Sequence, residues 1–247
     1  MGSNFLPSAT VTNINMTNLP ELTTASEFIG TLPEILTIKD GEERLILANQ
    51  ITSGNINIGR DCNVTIVTLL TEGWEEKKTL NFNFNDENST LTFIALIIGA
   101  DQNKFPLETI SNHNAKHTNA YYYIRSAMFD RSQINYKGNL IIKPGAQLTD
   151  SYLAHHTLML SKDAKTNTIP CLEIEADDVK AGHAATIGKV DEHLMFYLQS
   201  RGLSKAEAED VLIKGFMESE LQKIDSEEIR MILSAEIEKY LNAHAGR

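Results

Sequence analysis

Cysteine is scarce in this chain of 247 residues: only Cys62 and Cys171 are present. A pair so far apart is not a disulfide framework of the kind that staples small secreted domains, so each reads as a free thiol. Basic residues are also in deficit, 22 against 33 acidic, for a formal net charge of −11. Phosphate affinity comes chiefly from Lys and Arg releasing counterions, so this balance argues against sequence-independent nucleic-acid binding. Long hydrophobic runs are missing too. The most apolar stretch, LTFIALIIGA from Leu91 to Ala100, falls well short of the about 20 residues a membrane helix needs, and predicts a buried strand pair or core segment. The opening MGSNFLPSATVTN lacks the basic start and apolar centre of a secretory signal. The expectation is a cytoplasmic protein, or one in an organellar stroma or matrix if the source is eukaryotic. Enzyme signatures are absent as well: no Gly-x-Ser-x-Gly, dinucleotide fingerprint or carboxylate pair supplies a nucleophile or base, and the chain reads as non-enzymatic.

What is present from residue 41 to 190 is a succession of short apolar runs separated by Gly, Asn, Asp and Pro, the grammar of strands and turns. Leu80, Phe82 and Phe84 alternate with Asn81, Asn83 and Asn85, which predicts a strand with one apolar and one wet face. The same spacing recurs at Ile56/Ile58, Leu140/Ile142, Leu158/Leu160 and Leu172/Ile174. Abundant asparagine suits tight corners, because it tolerates left-handed backbone. An all-β body follows. A sandwich, a barrel and a parallel β-helix all satisfy the pattern, and without an exact repeat period the commoner sandwich or barrel is favoured.

After residue 190 the period changes to that of helices. DEHLMFYLQSRG has Asp191 placed to cap a first helix and Gly202 to stop it. Ser204 and Glu207 stand at capping-box spacing before a second helix, with Val211, Leu212, Gly215 and Phe216 along one face. Asp225 and Glu228 repeat the spacing before a third, which carries Ile229, Ile232/Leu233, Ile237 and Leu241 at helical period. Such short amphipathic helices must pack on each other, on the β body or on a partner. Residues 1–40, polar and threonine-rich, read as an irregular N-terminal arm.

One stretch invites a chemical reading: AGHAATIGKVDE, Ala181 to Glu192. As a phosphate loop it fails, because five residues rather than four separate Gly182 from Gly188, and Val190 stands where a magnesium-binding hydroxyl belongs. His183 nevertheless sits among small residues that would admit close approach. Cys171 precedes it by about 12 residues, so if one coil of the body takes that many or more, the two approach. A thiolate and an imidazole would together suit iron or an iron–sulfur cluster. Two histidine pairs, His113/His117 and His155/His156, favour structural roles: the first lies in poor helix material, and the second would point to opposite faces of a strand.

The blocks GNLIIKPGAQLTDSYLAHHTLMLS, TIPCLEIEADDVKAGHAATIGKVDEHLMFYLQSRGLS and EAEDVLIKGFME resemble the C-terminal core of the SufB/SufD family, the paralogous scaffold subunits of SUF iron–sulfur cluster assembly. The resemblance is collinear from about Gly138 to Glu218, and most specific from Ile169 through Gly202. It implies a right-handed parallel β-helix, here residues 41–190, followed by C-terminal helices in residues 191–247. It implies that His183 lies at an interface between two β-helix subunits where a transient cluster is built, with Cys171 a further candidate ligand. The helices would dock a SufC-like ABC ATPase, with Phe196, Leu212 and Phe216 as contact residues. The other partner would be a SufB-like paralogue or a second copy of the chain. A SufB-type cysteine is missing at about Ala164 and a glutamate is missing at Ala184, so the chain looks more SufD-like. Flavin binding is left open, with nothing in the residues for it. The alternatives are a β-helix enzyme acting on carbohydrate, which needs a row of carboxylates on one sheet, and a structural or adaptor protein without a cluster site.

Overall fold

The computed structural model describes residues 26–243; residues 1–25 and 244–247 lie outside it. Strands β1 (Ser26–Leu32), β2 (Ile35–Ile38), β3 (Glu43–Ile51), β4 (Gly54–Ile58), β5 (Asn63–Leu70), β6 (Lys78–Phe84) and β7 (Thr90–Gly99) come first. They are followed by β8 (Lys104–His113), β9 (Asn119–Met128), β10 (Gln133–Ile142), β11 (Asp150–Met159), β12 (Lys165–Ile174) and β13 (Lys180–Lys189). Helices α1 (Glu192–Ser200), α2 (Lys205–Leu221) and α3 (Glu227–Ala243) complete the order. Odd strands form one seven-stranded parallel sheet, sheet A, in the order β1-β3-β5-β7-β9-β11-β13. Even strands form a six-stranded parallel sheet, sheet B, from β2 to β12. The chain thus winds from one sheet to the other and back, a parallel β-helix, as the family resemblance implies and against the sandwich or barrel that pattern alone favours.

Glu43 pairs with Asn63, Thr90 with Asn119 and Gln133 with Lys165, so the coil lengthens from 20 residues to 29 and then 32. That drift is why no exact repeat shows in the sequence. Strands β1 and β2 lie inside the stretch read as an arm: the apolar residues around Leu32 and Ile38 complete the first coil, so residues 26–40 belong to the solenoid. The rest of that expectation lies outside the described residues.

Alternating side chains fill the interior. Ile56, Ile58, Leu80, Phe82, Phe84 and Leu140 are all buried in one core cluster with Phe93 and Tyr122, and Ile142 is buried in a small cluster with Ala146 and Ala176. Buried aliphatic side chains of this kind each contribute about 1.5–3 kcal/mol. Cys62 packs in the same core, and burial pushes its thiol pKa up, as for an inert small hydrophobe. The LTFIALIIGA run is β7 and the residue after it, a single strand rather than a pair. It is apolar throughout because both its faces are covered: Phe93, Ala95 and Ile97 face the interior, while Ile94, Leu96 and Ile98 join Ile213, Met217, Leu233 and Ile237 of α2 and α3 in a second cluster.

Helix signals are mostly as the sequence predicts. Asp191 caps α1, Gly202 takes φ +100 beyond its end, and both bonds of the Ser204–Glu207 capping box form. Two details differ. The α3 cap is Ser226, whose hydroxyl accepts the Ile229 N–H at 3.3 Å, one residue after the expected Asp225. The buried stripe of α2 is Ala208, Ile213, Met217 and Leu221, leaving Val211 48 % exposed, because the helix turns that face towards sheet A. Corners also differ from expectation. Asn88 is left-handed, but so are Asp61, Asp101 and Asp130. Several asparagines instead stack on the outer face of sheet B, where Asn112 donates to Asn83 and Asn83 to Asn57.

Candidate functional site

The solenoid ends at β12 and β13, the last strand of each sheet, which among the described residues have no strand along their outer edges. An uncovered edge leaves backbone N–H and C=O groups available to another chain. Side chains add to this. Leu172 and Ile174 register with the buried Leu140 and Ile142 and therefore belong to the interior face, yet they are 36 % and 43 % exposed. Ile187, above Thr157 on β13, is 54 % exposed for the same reason: nothing in the described chain lies beyond it.

His183 sits in the middle of this rim. It registers with Leu153, a core residue, so it occupies an interior-facing position of the terminal coil and is exposed there. Residues 180–189 are one continuous strand paired with β11, which removes the loop conformation that phosphate binding would require. Next to His183, the Tyr152 ring lies across Gly182, where a Cβ would make van der Waals contact with the ring at 3.4 Å.

Cys171 is not beside it. Coils of about 30 residues place the two on successive strands of one coil and in different sheets, not one above the other. Cys171 registers with Asn139, whose amide donates to Glu108 on the outer face of sheet B, whereas His183 belongs to the interior face. Within one chain the pair does not converge, and among the described residues no group of three His, Cys, Asp or Glu side chains is placed to hold a metal ion. The two departures from the SufB pattern fall in different places: Ala164 is buried in the core at the corner before β12, and Ala184 is half-buried on the outer face of β13 beside Ala154.

The histidine pairs are structural. His113 is buried, stacked on Phe84, and bonded to Ser111 and Thr118, while His117 stands in a corner with φ 53. His155 and His156 do point to opposite faces. His155 is buried and bonded to Ser126 at 3.0 Å and to Thr168 on β12 at 3.0 Å; His156 is half-buried and bonded to Thr186 on β13 at 2.7 Å. Burial holds both His113 and His155 neutral, with pKa values pushed down to about 3. These threonine contacts join positions 13 and 30 residues apart, and nothing local in the sequence signals them.

Of the expected contact residues in the helices, Phe196 is 73 % exposed. Leu212 is half-buried, and Phe216 packs against the helix–sheet core with the Arg125 guanidinium over its ring at 4.6 Å. The outer face of sheet B carries asparagine rows, and its Glu108 is occupied by Lys77 and Lys137. That is not the row of carboxylates a carbohydrate enzyme of this fold requires. No helix among the described residues is long and apolar enough to cross a membrane.

An open-ended β-solenoid with a helical appendage along one flank is the class these features define. The sequence model described as SUF system FeS cluster assembly, SufBD core domain, matches residues 45–216, and the chain belongs to that family. Similar proteins include the iron-sulfur cluster assembly protein SufD of Escherichia coli, 26 % identical over 77 % of this chain and 45 % of the relative. SufD of Bacillus subtilis is 32 % identical over 58 % of this chain and 33 % of its own length. An iron-sulfur cluster assembly SufBD family protein of Mycobacterium leprae is 36 % identical over 44 % of this chain and 28 % of its own length. The chain spans less than half the length of each.

Proposed function

We propose that the chain is a non-enzymatic scaffold subunit of a SUF-type iron–sulfur cluster assembly complex. The observation that carries this reading is the uncovered terminal coil, where Leu172, Ile174 and Ile187 are interior residues without cover and His183 stands among them. A partner's terminal coil, from a second copy or a SufB-like paralogue, would bury these side chains and close the edge. His183 would then offer its imidazole to a nascent cluster at the junction, the cluster being cargo rather than a resident group. Remaining ligands would come from the partner, because Cys171 lies on the opposite face of its strand. Membership of the SufBD family supports the assignment to cluster assembly.

The helices supply the second contact. The buried stripes of α2 and α3 are already used against sheet A, so an ATPase would meet what the helices leave outside: the exposed Phe196, Tyr197, Leu194 and Val211, and the half-buried Leu212 and Phe216. Large apolar side chains left in water, Phe196 above all, suit a protein contact. Copurification under nucleotide-free conditions tests the whole reading. Retention of a SufC-like ATPase that is lost in Phe196→Asp is expected; no association in the wild type would overturn the proposal. Anaerobic reconstitution of the complex with iron and sulfide, in wild type, His183→Ala and Cys171→Ala, separates the ligands. Cluster content should fall in the first variant and hold in the second.

A further inference from the structure

The adjacent pair His155 and His156 is absorbed by neither contact proposed above, yet its two rings reach the two strands of the terminal coil. Among the described residues each of those strands has a neighbour on one side only. From inside the solenoid, His155 Nδ1 meets Thr168 Oγ1 of β12 at 3.0 Å, while Nε2 is held by Ser126 at 3.0 Å and Thr157 at 3.2 Å. Thr157 in turn lies 3.3 Å from Thr166 of β12, and the Tyr136 ring packs edge-on against the imidazole at 4.9 Å. From outside, His156 Nδ1 meets Thr186 Oγ1 of β13 at 2.7 Å, with Arg125 of β9, Glu220 of α2 and Lys223 beyond it as its charged neighbours. The surface ion pairs of Lys143 with Glu173 and Glu175 also touch β12, but exposed pairs contribute little.

Neighbouring residues of one strand point to opposite faces, so a His-His dipeptide in β11 can hold something on each side of the sheet. Here the two things held are the two strands of the open edge. We propose that His155 and His156 are positioning residues for that edge: His155 pins β12 from the interior, His156 pins β13 from the exterior, and together they keep the terminal coil in the register a partner must meet. Thr168 and Thr186 are the other halves of the two pins. The consequence for assembly rests on the reading of the edge as an interface; the pinning is a property of a single chain.

Hydrogen exchange followed by mass spectrometry on the full chain tests the pinning. Thr168→Val and Thr186→Val remove one hydroxyl each at nearly constant shape, on strands that carry little of the core. Thr168→Val should speed exchange of the β12 amides by about fivefold to tenfold, the size expected for one lost hydrogen bond, and leave β13 and the inner coils unchanged. Thr186→Val should do the converse. His156→Ala should match Thr186→Val, and His156→Asn, which keeps a polar group near the Nδ1 position, should restore protection of β13. Unchanged exchange in both edge strands, or equal loosening of every coil, would overturn the proposal. Association of the wild-type chain with itself or with a paralogue, measured by sedimentation, decides the interface reading separately. Strand-specific loosening without any association would uphold the pins and remove the interface.

Discussion

Arg125 of β9 and Glu220 of α2 meet at 2.8 Å although 95 residues separate them. The glutamate is almost fully buried, and its second oxygen has the Lys223 ammonium at 3.1 Å, an ion pair without hydrogen-bond alignment. Arg125 also covers the Phe216 ring, and Lys223 covers that of Tyr123. A charge cluster therefore registers the helices on the flank of the solenoid, above an apolar interface that has little directional preference of its own.

Breaking that registration has a large expected cost. Removing Arg125 leaves the buried Glu220 with Lys223 as its remaining cation, so Arg125→Ala should destabilise the fold by about 2 kcal/mol, less than the loss of a sole partner would cost. Arg125→Met paired with Glu220→Leu should cost much less. Urea unfolding of both proteins makes the comparison, and equal losses would show that packing rather than charge holds α2.

Stability should fall on mild acidification. His113 and His155 are held neutral in the folded chain with pKa values of about 3, against an ordinary value of 6.5. The unfolded state therefore binds more protons between those limits, and stability is full above about pH 6.5 and declines below it, by about 2 kcal/mol per histidine at pH 5. Glu108, whose pKa is lowered by its bond to Lys77, acts below its ordinary value of 4.5 and does not account for this window. Urea midpoints from pH 8 to 5 check the slope, and His113→Leu should make it shallower, with His155 and His156, both held low by burial, keeping the rest.

Gly138 has no room for a side chain. A Cβ there would clash with Leu153 Cδ1 and lie 2.8 Å from the Tyr136 hydroxyl. Gly138→Ala should cost about 1–3 kcal/mol by overpacking. It should also displace Leu153, the residue beneath His183. Thermal unfolding reads the first effect. The His183 ring signals in an NMR spectrum read the second.

Substitutions on the open rim should separate stability from assembly. Ile187→Ser and His183→Ala remove exposed groups, so each should change the unfolding free energy by about 0.5 kcal/mol or less. Association through the rim should weaken sharply in Ile187→Ser. A drop in stability with unchanged association would mean that the residue serves its own chain.

Local grammar was legible where one residue's neighbours in sequence decide its state. Alternation at Leu80–Asn85 marks a half-buried strand, and the caps at Asp191 and Ser204 are found where side-chain chemistry places them. Choice of architecture was not local, since stacking of coils depends on pairs 18 to 32 residues apart at a drifting interval. It became readable only through resemblance of the block from Ile169 to Gly202. The position of His183 in the last strand follows from that block, while the separation of Cys171 from it depends on coil length and strand parity. The partners of His155 and His156 lie in other coils and left no mark on the sequence around them.

The drift in coil length also makes the two ends of the described solenoid unlike. Strand β2 has four residues and β1 slips register at Gly30, whereas β12 and β13 have ten each. A short, irregular edge is a poor template for another strand, and a long regular one is a good template. Among the described residues, therefore, the edge of β12 and β13 is the better template of the two. If the long edge is the proposed interface, two like edges meeting would make a closed, two-fold pair rather than a head-to-tail contact.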